Sequence, residues 1–221
     1  MESRKRFRLS FCREPASFST DAGFARHRAS ERKLSFMTKL LGISGSLRKA
    51  SFNTALLKAA QAVAPDGVEF ETATLHGIPL YDGDVEAESG VPAAAEALKQ
   101  KIVAADGVIL FTPEYNNSVP GVFKNAIDWL SRPPADIKKV FGGRPFALAG
   151  ASSGSFGTIL SQNAWLSVMR TLGAEMWSGK RLMVPKANTL FDGDGQLKDD
   201  QTLERLRGFV QAFADHLAMR N

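Results

Sequence analysis

One cysteine, Cys12, stands in 221 residues, which excludes an internal disulfide framework and a metal site built on cysteines. No window holds the roughly 18 uncharged apolar residues that a membrane-spanning helix needs, so an integral helical membrane protein is not expected. Histidines number only three, and no group of His, Cys or carboxylates has metal-ligand spacing, so no metal is expected. A charge excess is also missing from most of the chain. Residues 1–36 carry nine Lys or Arg against four acids, which accounts for the whole net charge of +5. Residues 37–221 hold 19 basic and 19 acidic residues. This balance offers no electrostatic case for a nucleic-acid partner.

The first 36 residues scatter their apolar side chains without helical or strand period among seven Arg and six Ser. They are expected to be a disordered basic extension ahead of a single domain at 37–221. A secretory signal would need an apolar stretch of about 7–15 residues, and none is there, so a cytoplasmic protein is expected. An Arg- and Ser-rich targeting segment is the alternative reading of the extension. So is an upstream start, because Met37 directly precedes a natural first strand.

What is present, at 44% apolar and 23% charged with a mean hydropathy of −0.14, suits a folded chain with a core. Leu40–Ile43, Val108–Phe111 and Phe146–Ala149 are short continuous apolar runs, as expected of parallel strands covered on both faces. Val68–Glu71 alternates apolar with acidic residues after a Pro65-Asp66-Gly67 turn signal and reads as an edge strand. A fifth strand is expected within 175–184, ahead of Pro185. Between these runs the apolar period becomes helical, at about 53–63, 92–104, from Phe123 to Leu130, at 158–172 and from Leu203 to Leu217. Strands separated by helices are parallel, and right-handed crossovers put helices on both faces. The expected fold is a three-layer αβα with a doubly wound five-stranded parallel sheet, whose ligand sits at the carboxyl ends of the strands.

Three loops stand at those ends. After the first strand, Ser46, Ser51, Asn53 and Thr54 offer side-chain donors, Arg48 a charged fork, and the following helix its free N–H groups: a phosphate cradle. It is neither a Walker A loop nor a G-x-G-x-x-G fingerprint. A plain strand-to-helix turn with Ser51 as N-cap is the simpler alternative. The loop after the third strand runs from Thr112 to Gly121. Its prolines, Pro113 and Pro120, stiffen it and leave backbone polar groups for a planar heterocycle. Tyr115 would supply an aromatic face and Asn116 hydrogen bonds. The loop after the fourth strand, Gly150 to Thr158, contains a G-x-S-x-G pattern centred on Ser152, which opens a serine-hydrolase alternative. Its histidine would have to be His216, whose neighbour Asp215 cannot orient it from an adjacent helix position, leaving Asp192 or Asp194 as the acid.

Read together, the chain resembles the NADPH-dependent FMN reductase family, flavodoxin-like enzymes that reduce quinones, azo compounds and chromate. The matching stretches are Gly45-Ser46-Leu47-Arg48-x-x-Ser51-x-Asn53, Pro113-Glu114-Tyr115-Asn116-x-Ser118-x-Pro120-Gly121 with Lys124–Trp129 after it, and Pro79-Leu80-Tyr81. The resemblance implies that Ser46, Arg48, Ser51, Asn53 and Thr54 hold the FMN phosphate. It further implies that Pro113, Glu114, Tyr115 and Asn116 border the isoalloxazine ring, with Ser152 and Gly154 on its other side. The family often has a second glycine where this chain has Thr158. Asn125 and Asp128 are expected in helix packing or subunit contact. The resemblance also implies NADPH, or NADH, as electron donor, a small-molecule acceptor (quinone, azo compound, chromate or free flavin) and a homodimer or homotetramer. No residue in the three loops is an obvious nucleophile with a base, so no catalytic side chain is expected and the cofactor carries the chemistry. A flavodoxin-like electron carrier without NADPH activity is the alternative of a different class.

Overall fold

The computed structural model describes residues 37–220, so the expectations for residues 1–36 lie outside the described residues. Strands β1 (Thr38–Ser44), β2 (Val68–Ala73), β3 (Gly107–Phe111), β4 (Pro145–Ala151), β5 (Glu175–Met176) and β6 (Leu182–Val184) form one parallel sheet. Helices α1 (Phe52–Ala62), α2 (Gly83–Ser89), α3 (Ala93–Ala104), α4 (Gly121–Leu130), α5 (Ile137–Val140), α6 (Ile159–Thr171) and α7 (Asp200–Ala218) occupy the connections. The strand order is β2-β1-β3-β4-β5, with β6 also paired to β4. This is the flavodoxin-like arrangement, and its order reverses between β1 and β3.

The continuous apolar runs are explained by what covers the two faces. Leu40, Ile109, Ala147 and Ala149 pack toward α1 and α7, against Leu56, Phe209, Val210 and Phe213. Their alternating neighbours Leu41, Val108, Leu110, Phe146 and Leu148 pack toward α3, α4 and α6, against Leu98, Ile102, Phe123, Ile127 and Trp165. Strand side chains alternate in direction, so a strand buried on both faces needs apolar residues at every position. β2, at the edge, keeps the alternation seen in its sequence.

The fifth strand is two short pieces. Glu175–Met176 pairs with Pro145–Phe146, and Leu182–Val184 pairs with Ala149–Ala151. Between them the chain leaves the sheet, with Trp177 set against the rings of Phe209 and Phe213 at 5.7 and 5.1 Å. A β-carbon on Gly179 would come within 2.7 Å of that indole, which keeps the detour glycine-specific. Helix α2 has no counterpart in the sequence reading because it buries none of its residues and so shows no apolar period.

Candidate functional site

The reversal of strand order leaves a crevice above the carboxyl ends of β1, β3 and β4, and the three loops meet there. A cleft of about 160 Å³ is bordered by Ser46, Arg48, Ser51 and Asn53 from the first loop, Pro113, Glu114 and Tyr115 from the second, and Ser152 from the third. Of the residues singled out in sequence, Thr54, Asn116 and Gly154 do not line it.

The first loop starts under steric command: a β-carbon on Gly45 would lie 2.1 Å from the Phe123 ring, so only glycine lets β1 turn here above α4. Ser51 is the N-cap of α1, accepting from Thr54 N at 3.3 Å. Ser46 Oγ is nearly buried and accepts from Arg48 N at 3.2 Å. Arg48 enters the described hydrogen bonds only through that N–H, so its guanidinium is uncommitted among the described residues. The backbone N–H groups of Leu47, Phe52 and Asn53 likewise find no acceptor among the described residues. Uncommitted helix N–H groups beside a cation attract an anion. Two members of the expected cradle have structural partners. Asn53 is 4% exposed, donates through Nδ2 to Ala151 O and accepts from Ala151 N, both at 2.9 Å, tying α1 to the end of β4. The Thr54 hydroxyl is 2.7 Å from Ser44 Oγ.

In the second loop Glu114 reaches across to the third. Its Oε2 accepts from Leu160 N and Ser161 N at 2.8 and 3.0 Å, capping the first turn of α6. Tyr115 and Ser118 exchange backbone hydrogen bonds around Asn116 and Asn117, both with positive φ, a tight turn that suits asparagine. Tyr115 is therefore presented outward, 48% exposed. Below the loop lies a buried cluster of Thr112, Ser161 and Trp165 that the sequence reading passed over. Its only trace there is hydroxyl residues at apolar-neighboured positions.

In the third loop Ser152 Oγ accepts from Gly154 N at 3.1 Å. The departure at Thr158 turns inward. Its side chain is fully buried, accepts from Gln162 Nε2 at 3.1 Å, and occupies the space beside Gly150, whose added β-carbon would meet Thr158 Oγ1 at 2.1 Å. The glycine preceding it, Gly157, carries the positive φ of the turn. The hydrolase alternative fails on geometry. His216 lies 3.4 Å from Glu175, which pairs with Pro145 at the start of β4, whereas Ser152 follows its end. Seven strand residues, roughly 20 Å, separate the two.

The segment after β2 is strapped to α4. Asn125 donates to Pro79 O and accepts from Tyr81 N, both at 2.8 Å, and Trp129 Nε1 also donates to Pro79 O. Arg132 Nε meets Glu86 Oε2 at 2.7 Å, and the Tyr81 hydroxyl donates to the same oxygen at 2.9 Å. The Arg132 guanidinium holds the Glu86 carboxyl below its ordinary pKa, and the bond to Glu86 raises that of Tyr81. Asn125 is thus a packing residue within the chain, while Asp128 pairs with Lys124 at 2.7 Å.

Comparison with known proteins bears on this arrangement directly. The family described as NADPH-dependent FMN reductase matches residues 38–189, a span that contains all three loops. A NAD(P)H-dependent FMN reductase of Pseudomonas aeruginosa is 44% identical over 174 residues, covering 79% of this chain and 92% of that one. A quinone reductase of Escherichia coli K12 is 37% identical over 181 residues, covering 81% and 95%. Among solved structures, the flavoenzyme NAD(P)H:(acceptor) oxidoreductase FerB of Paracoccus denitrificans superposes with a TM-score of 0.72 at 34% identity, covering 82% of this chain and 98% of that one. Sequence, fold and relatives agree, and the chain belongs to the NADPH-dependent FMN reductase family, among homologues that include quinone reductases.

Proposed function

We propose that this chain holds FMN in the three-loop cleft and passes two electrons from NADPH to a small quinone. The observation that carries the reading is the uncommitted donor set of the first loop, the Arg48 guanidinium and the N–H groups of Leu47, Phe52 and Asn53, which suits a terminal phosphate dianion. Ser46 and Ser51 border the same cleft and add hydroxyl donors to the phosphate. Asn53 contributes through its backbone N–H, since its side chain holds β4. Thr54 acts on the cradle indirectly, by fixing Ser44 and the cap. FMN, when bound, supplies the hydride-accepting and electron-donating chemistry. Pro113, Glu114 and Tyr115 border the ring from one side and Ser152 from the other, with Asn116 and Gly154 shaping the turns that carry them. The protein's part is to hold the ring still, keep one face open, and set donors where reduction adds electron density.

A quinone is favoured over an oxyanion such as chromate by the exposed apolar side chains of these same loops: Leu47, Tyr115 and Phe156, the last 79% exposed. A flat apolar acceptor gains by leaving water there; an oxyanion does not. The same side chains give a second copy of the chain apolar surface to cover, so a homodimer or homotetramer is part of the proposal.

The test is turnover by the purified protein with FMN, NADPH and no other reductase. Steady NADPH oxidation with 1,4-benzoquinone at a kcat/KM at least tenfold above that with chromate is expected. A preference for chromate removes the acceptor assignment. No turnover with any small acceptor, despite bound FMN, moves the protein to the electron-carrier class.

A further inference from the structure

Beneath the second loop, one oxygen holds two side chains and a backbone carbonyl. Thr112 Oγ1 donates to the Pro113 carbonyl at 2.9 Å, lies 2.9 Å from Ser161 Oγ, and receives the Trp165 Nε1–H at 2.9 Å. A threonine hydroxyl has one proton and two lone pairs, so these contacts saturate it. Its proton goes to Pro113 O, and the serine hydroxyl and the indole are the donors to it. All three residues are fully buried. The surrounding backbone is pinned as well: Thr112 N donates to Ala149 O at 2.8 Å, and Ser161 N to Glu114 Oε2 at 3.0 Å.

The peptide bond joining Pro113 to Glu114 is trans, so its N–H points opposite to its C=O. With the carbonyl turned down onto buried Thr112, the Glu114 N–H is turned the other way, where Pro113 and Glu114 border the cleft. That N–H has no acceptor among the described residues. We propose that Thr112 is a positioning residue, its hydroxyl locking the 113–114 peptide so that the second loop offers the cleft a hydrogen-bond donor and not a carbonyl. The inference rests on the reading that FMN occupies this cleft. A locked donor favours the reduced ring, which carries more electron density than the oxidised one, and the lock removes the reorganisation that a free peptide would need. Trp165 and Ser161 serve by holding the Thr112 rotamer.

The experiment compares the FMN-loaded wild type with Thr112→Val, which keeps the shape and removes the hydroxyl, and Thr112→Ser, which keeps the hydroxyl. FMN content is measured first, because a wild type that retains no FMN overturns the cofactor reading itself and this inference with it. With FMN bound, Thr112→Val is expected to lose roughly tenfold in its preference for reduced over oxidised FMN, the size of one hydrogen bond. For a two-electron couple that lowers the midpoint potential of bound FMN by about 30 mV. Thr112→Ser should restore the wild-type value. An unchanged or raised midpoint in Thr112→Val, even with a lowered melting temperature, means that Thr112 only packs, and so does an equal shift in both variants. Amide hydrogen exchange needs no variant: exchange at Glu114 is expected to slow on loading FMN, and unchanged exchange overturns the proposal.

Discussion

On one wall of the cleft, the loop from Gly45 to Asn53 leaves the N–H groups of Leu47, Phe52 and Asn53 and the Arg48 guanidinium uncommitted among the described residues. On the facing wall, the loop from Thr112 to Ser118 is tied to the protein at several points: Glu114 Oε2 on the α6 amides, the Tyr115 and Ser118 backbones on each other, and Thr112 on Ser161 and Trp165. The Glu114 N–H stays open among the described residues. The difference is chemical. A phosphate brings two negative charges and needs donors that are free until it arrives, whereas a planar ring brings little charge and needs a rigid edge. On the proposed reading the first wall is completed by its ligand, whereas the second is braced before any ligand binds and holds out one donor, the Glu114 N–H. Asn53 joins the two designs, with its side chain engaged and its backbone N–H open.

Substitutions at three positions break or sharpen this contrast. The largest effect is expected at Asn53, because Asn53→Ala leaves the buried N–H and C=O of Ala151 without partners. Two such groups cost about 2–6 kcal/mol of folding stability. In a domain of this size that is roughly 4–24 °C of melting temperature, measurable without FMN. An unchanged melt would place Asn53 with the waiting donors instead. Arg48→Ala should show the reverse pattern. The apoprotein melt stays within a degree or so of wild type, while FMN binding weakens by about 1.5–3 kcal/mol, the range for a charge-assisted hydrogen bond. Flavin fluorescence titration measures it, and an unaltered dissociation constant would show that Arg48 serves elsewhere.

The smallest effect is expected at Ser152, whose hydroxyl already accepts from Gly154 N but keeps its proton for a ligand. Ser152→Ala should weaken FMN binding by about 0.5–1.5 kcal/mol, with most NADPH oxidation retained. Neither wild type nor variant should be labelled by a fluorophosphonate. Labelling at Ser152 would reinstate a nucleophile there, against the placement of His216 at the far end of β4.

The sequence by itself determined the layered fold, because residues buried on both faces of a parallel strand must be apolar at every position, as in Val108–Phe111. It also located the three loops, since a doubly wound sheet brings strand ends together regardless of their side chains. The tertiary structure alone decided what each polar group in those loops does. Asn53 and Arg48 look equally suited to a phosphate as sequence. What separates the two side chains is that Ala151, 98 residues away, offers that of Asn53 both a donor and an acceptor, while no described residue offers the Arg48 guanidinium an acceptor. The resemblance implies Glu114 as a ring neighbour, and only the structure adds that its carboxylate caps a helix 46 residues further on. Thr112 carries no local sign of its importance, because its partners Ser161 and Trp165 lie one helical turn apart on α6 and face it only after β3 and β4 have paired. Periodicity reports how much of a residue is buried. Hydrogen bonds between distant segments depend on the packed geometry, which local patterns do not carry.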